Sequence, residues 1–128
     1  MWKDIIFCVI IIVVIIALDF FVQGYIKDST EEMTSKLNNL KQEVLSEDED
    51  KINEIETNEI IETWNNRYMI LATVIEHDEL EKVENSLTGL YSALESNEKP
   101  DAISELDESI FILRHIKDKY SFKTENVF

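Results

Sequence analysis

A chain of 128 residues has room for one small packed domain once an apolar segment of about 20 residues is set aside for a membrane. Two glycines and one proline, among abundant Leu, Ile, Glu, Lys and Asn, favour long helices joined by short turns and argue against a sheet-rich fold. The formal charge of -15 is carried almost wholly after residue 26 and repels phosphate backbones, which argues against nucleic acid as a partner, while the single cysteine, Cys8, precludes an intramolecular disulfide.

The first element is "IIFCVIIIVVIIALDFFV", Ile5 to Val22. A helix in the core of a soluble bundle keeps one polar face, and Ile5 to Leu18 has none. The run is long enough to cross a hydrocarbon layer of ~30 Å as one helix. Lys3 would suit the start of a cleaved signal, but "ALDFFVQGYIKD" sets bulky aromatics and an acid where a peptidase needs small residues. Residues 1–26 therefore read as an uncleaved, single-pass transmembrane anchor that contacts the bilayer through 5–22, with Trp2 and Tyr25 as interfacial aromatics. Lys3 beside the amino terminus places that end in the cytoplasm and residues 27–128 on the outer face of the cell membrane. Asp19 has two readings: a carboxylate reaching headgroups or water from near the outer interface, or one hydrogen-bonded to a polar group on a membrane partner.

Residues 27–120 read as an acidic bundle of four helices, about 29–46, 49–76, 78–96 and 100–120, followed by a tail at 121–128. Asp28 or Ser29 caps the first helix, whose apolar face is Met33, Leu37, Leu40 and Val44. Gly24 and these caps allow a hinge between anchor and bundle. Ser46 and Glu49 have capping-box spacing before the second helix, whose face is Ile52, Ile55, Ile60, Trp64, Tyr68, Leu71 and Ile75. The apolar phase slips at "EHDEL", where Asp78 with Glu81 offers a fresh cap and a turn falls near His77. Leu80, Val83, Leu87, Leu90 and Leu94 face the core from the third helix, and Pro100 suits the first turn of the fourth, whose face is Ile103, Leu106, Ile110, Leu113, Ile116 and Tyr120. Trp64, Tyr68, Leu87, Leu90, Leu106 and Ile110 are taken as structural core. A shift of 50 places Leu37 on Leu87, Leu40 on Leu90, Val44 on Leu94, Ser46 on Ser96 and Ile60 on Ile110. The fold class is all-α: a transmembrane helix followed by an antiparallel up-and-down four-helix bundle or two packed helical hairpins.

Chemistry-bearing residues are few. His77 and His115 fall at the same end of such a bundle, where Glu76, Asp78 and Glu79 could orient an imidazole or share a metal. The competing reading is two histidines that interact with helix ends, and it outweighs the first because no fixed pair spacing exists. The run "EDED" at 47–50 is a solvated turn without the glycine of an EF-hand loop. No nucleophile constellation or phosphate-cradling loop emerges, so neither an enzyme nor a cofactor is expected, and no metal is assigned.

The segment "WNNRYMILATVIEHDELEKVENSLTGLYSALE" and the closing "NVF" resemble a family of small, N-terminally membrane-anchored helical proteins of unknown function from Gram-positive, largely spore-forming bacteria. Trp64, Glu76, His77, Asn126 and Phe128 carry the resemblance. It implies a membrane-anchored helical protein and brings no activity or cofactor. It singles out Asn126 and Phe128, which with Asp19 are the candidate partner contacts. The expected function is a non-enzymatic scaffold or accessory subunit that binds a membrane or envelope protein; the alternative is a ligand or metal sensor at the His77 and His115 end.

Overall fold

The computed structural model describes residues 1–46 and 54–120, with the side chains of 54 and 55 left out. The predicted Ser46–Glu49 capping box, the "EDED" turn, Ile52, the side chain of Ile55, Asn126 and Phe128 lie outside these described residues. Within them the chain forms four α-helices and no strand: α1 (Trp2–Leu45), α2 (Glu54–Val74), α3 (His77–Glu95) and α4 (Lys99–Tyr120).

The largest departure from the sequence reading is α1. No break falls between residues 26 and 27; apolar run and first amphipathic helix form one helix of 44 residues, about 66 Å long at 1.5 Å per residue. Asp28, Ser29 and Thr30 cap nothing, because they lie inside it. Thr30 turns its hydroxyl back onto the carbonyls of Ile26 (2.9 Å) and Lys27 (3.0 Å), which satisfies a buried polar group within the helix. Ile26, Thr30, Met33, Leu37, Leu40 and Val44 then recur at intervals of four and three, a single buried seam. Gly24 makes no hinge: it is helical, and a Cβ added there would meet open space.

Helices α2 and α4 cover this seam. Arg67 on α2 reaches Glu32 on α1 (2.7 Å) and stacks its guanidinium over the Tyr25 ring at 5.0 Å, while Lys36 reaches Glu59 (3.2 Å) and Thr63 (2.8 Å). Lys41 pairs with Asp107 (2.6 Å) and Lys117 with Glu31 (3.0 Å) between α1 and α4. In both sets, rising numbers on α1 meet falling numbers on the neighbour, so α2 and α4 each run opposite to α1. Exposed pairs of this kind add little stability each, about 0–1 kcal/mol, but they fix register. Helix α3 lies most closely along α4, then α1 along α4; α2 approaches α1 and α3 over less of its length.

Trp64, Leu87, Leu90, Leu106 and Ile110 are buried. Tyr68 is only half-buried, edge-on to Trp64 with ring centroids 6.2 Å apart, and the Trp64 ring N–H points at Glu84 (3.4 Å). The residues matched by the shift of 50 occupy matching sites: Leu37, Leu40, Val44, Leu87, Leu90, Leu94, Ile60 and Ile110 are buried, and Ser46 and Ser96 are C-caps of α1 and α3.

Two short connections complete the packing. The α2–α3 turn falls earlier than the sequence suggests, at Ile75 and Glu76: α3 begins at His77, with Glu76 as N-cap, so neither the Asp78 cap nor a His77 turn forms. At the α3–α4 turn Asn97 takes φ 54°, a left-handed conformation that asparagine tolerates, and Glu98 N–H closes onto Ala93 C=O at 2.9 Å. Pro100 follows in the first turn of α4, where its missing N–H is not needed.

Candidate functional site

Three places bring together groups that could do something beyond holding the fold. The first is the protruding half of α1. Residues 1–21 are all exposed, and Val22 and Tyr25 are the first residues along α1 that pack against the core. This half is long and apolar enough to cross a membrane. Its one acid toward the packed helices, Asp19, accepts a hydrogen bond at Oδ2 from Gln23 Nε2, one turn on, at 3.1 Å. The sequence reading passed over Gln23; its signal was the i,i+4 spacing from Asp19.

The second is where α4 ends against the start of α3. Glu79 is buried, with 7% of its surface exposed; Lys119 Nζ reaches its Oε1 at 3.0 Å and His115 Nε2 the same oxygen at 3.6 Å. Lys119 also approaches Glu76 at 3.8 Å, and the Glu76 backbone N–H donates to the Tyr120 hydroxyl at 3.1 Å. Glu79 holds the Lys119 ammonium above its ordinary pKa range, with desolvation opposing it. His115 thus lies near Glu79 without a hydrogen bond to it, and His77 is an exposed residue that opens α3 instead of closing α2. Among the described residues no three His, Cys, Asp or Glu side chains come together as metal ligands. The arrangement joins α3 to α4; the sequence could not mark Glu79 as the buried member of three successive candidate acids, because that depends on which neighbour lies across from it.

The third lies between α1 and α2 and had no counterpart in the sequence reading. A cleft of about 360 Å³ is lined by Glu32, Lys36, Glu56, Glu59 and Ile60 among others. Glu56 shares a hydrogen bond with the carboxyl of Glu43; this bond, helped by desolvation and by the charges of Glu43 and Glu59, lifts Glu56 from 4.5 to about 7. A carboxyl whose folded pKa is raised stabilises the fold below about pH 4.5, and that contribution is lost as pH climbs to about 7. Glu56→Gln, which keeps a hydrogen-bond donor toward Glu43 without a titrating proton, is expected to melt higher than wild type at pH 8 and to differ little at pH 4.5. Thermal unfolding of both chains at the two pH values checks this, and an unchanged difference between them would contradict the shared proton. Glu31, held below its ordinary range by Lys117, works in the opposite direction on acidification, so only the difference between variant and wild type isolates the pair.

Of the predicted site residues, then, Asp19 stands on the exposed apolar half, Glu76 and His115 approach a cluster centred on Glu79 and Lys119, and His77 is exposed at the start of α3. Residues 20–127 match the model of a family described as a domain of unknown function, DUF4363. No curated protein and no solved structure matches the chain. The matched stretch begins one residue after Asp19 and takes in the whole packed part.

Proposed function

Since the chain belongs to the family DUF4363, whose description assigns no activity, we propose from its geometry that it is a membrane-anchored, non-enzymatic accessory subunit or scaffold that binds another membrane protein. In this reading residues 5–22 span the bilayer, and α2, α3 and α4 complete an antiparallel up-and-down four-helix bundle on the remainder of α1. The N-terminus is cytoplasmic, beside Lys3, and the bundle lies on the outer face of the cell membrane. Neither nucleic acid nor a cofactor is involved.

The observation that carries the reading is the continuity of α1. A helix with 20 exposed, largely apolar residues at one end and a buried seam at the other leaves no linker between bilayer and bundle. A tethered catalytic or sensing domain gains from a flexible leash; an accessory subunit gains from being held at fixed height and rotation. The charged groups that do cluster, Glu79, Lys119 and His115, hold α3 to α4, which supports an architectural role for them.

The test is purification of the full chain in mild detergent from its own membranes, combined with labelling of a Ser92→Cys variant on intact cells by a membrane-impermeant maleimide. The expected result is a second membrane protein at fixed stoichiometry and a label on the introduced thiol. A chain that runs alone under every detergent condition tried would sink the accessory-subunit reading, and a thiol shielded until the cells are broken would reverse the orientation.

A further inference from the structure

The buried seam of α1 does not stop where its cover stops. Eighteen residues make about five whole turns at 3.6 residues per turn, so positions eighteen apart on a straight helix lie in line. Moving the buried residues Ile26, Ser29, Thr30, Met33, Leu37 and Leu40 back by that distance gives Cys8, Ile11, Ile12, Ile15, Asp19 and Val22. Asp19 therefore stands directly above Leu37, which has no exposed surface and sits at the centre of the intramolecular interface. One helical face thus runs from the packed part into the apolar half. Below Val22 it is covered by α2 and α4; above it every residue is exposed.

Resting on the accessory-subunit reading, we propose that this upper face docks a transmembrane helix of a different membrane protein, and that the helix carries a lysine or arginine at the depth of Asp19. Three observations select this occupant. The face continues an established helix–helix interface, so a partner helix stacked above the α2–α3 turn extends the same packing. It carries Asp19, the one carboxylate of residues 5–22, within the face and not on the opposite side, where lipid alone would leave an acid costly to hold. Gln23 supplies one neutral hydrogen bond to that carboxylate, whereas a cation across the interface also cancels its charge. A second copy is the poorer occupant: held parallel by its own packed helices, it would bring Asp19 against Asp19, two like charges in a medium of low dielectric.

The experiment places a photo-crosslinking phenylalanine analogue, one position at a time, in the full chain in its native membranes. Ile12 and Ile15 test the proposed face; Ile10 and Ala17 point to the opposite side. The expected result is an adduct from 12 and 15, absent from 10 and 17, whose captured peptide is a transmembrane segment of another protein containing Lys or Arg. Asp19→Lys should lower its yield about tenfold or more, as loss of a buried charge pair does. Asp19→Asn, which inserts without a misplaced cation, should lower it less, and exchanging the partner's basic residue for Asp should restore the yield with Asp19→Lys. Equal adducts from all four positions would mean a lipid-facing helix, and a chain dimer from 12 and 15 would mean a second copy; either overturns the inference. A co-purifying partner that persists in Asp19→Lys and crosslinks only from the packed helices would overturn it while leaving the accessory-subunit reading intact. No partner by any route would overturn both.

Discussion

Leu37→Ala is expected to lower the unfolding free energy by about 2–5 kcal/mol, the range for a leucine removed from a well-packed core. Leu37 has no exposed surface and lies midway along the α1 seam, the side of α1 that packs against α2 and α4. A domain of this size is stable by about 5–15 kcal/mol, so the variant loses a large part of its margin. The same change at Leu18, 58% exposed on the apolar half, should leave the packed part's unfolding within about 0.5 kcal/mol of wild type. Urea unfolding of the full chain in detergent, followed by Trp64 fluorescence with Trp2 replaced by Phe, separates the two. Equal losses would mean that the packing of α1 is not what holds the domain.

Gly24→Pro is expected to act more broadly. Proline removes the N–H that closes on the carbonyl of Phe20 and its ring clashes with that carbonyl, at about 3 kcal/mol or more, and it kinks the helix two residues beyond Val22. The packed helices would still form, since their core begins at Ile26, but they would lean away from the axis of the apolar half. Partner recovery should fall while the melting of the packed part changes little. Gly24→Ala is the control: its Cβ meets nothing within 4 Å, and alanine favours the helix by about 0.5–1 kcal/mol, so recovery should be preserved. Loss of recovery in both variants would show that glycine itself, and not the straight helix, matters at this position.

Much of this architecture is legible in the chain because helical spacing carries it. Met33, Leu37, Leu40 and Val44, or Leu80, Val83, Leu87, Leu90 and Leu94, are buried because their three- and four-residue spacing leaves no other face for them. The same rule should have extended the seam back through Thr30 to Ile26. It gave way to the local chemistry of "KDST", which favours a helix start; in the fold, burial and the Thr30 hydroxyl bonded to its own helix outweigh that weak preference. The α2–α3 turn slipped for a related reason: Asp78 is a better N-cap by type, but Tyr120 from α4 supplies a partner for the Glu76 N–H, and no local rule contains α4. Glu43 with Glu56, and Glu79 with Lys119, depend on which helices are neighbours and at what register. Acids make up 27 of the 128 residues, and nothing in their spacing distinguishes these few from the solvated majority.

The role proposed for α1 requires apolar half and packed helices to behave as one rigid rod. The most direct measurement is a pulsed electron–electron distance in lipid nanodiscs between spin labels at Val14 and Asn38, with Cys8 replaced by alanine. The expected result is one narrow distribution near about 36 Å, the span of 24 helical residues at 1.5 Å each. A broad distribution, or a second population at shorter distance, would mean a hinge between the two halves and would remove the geometric basis for a face shared by bilayer and bundle.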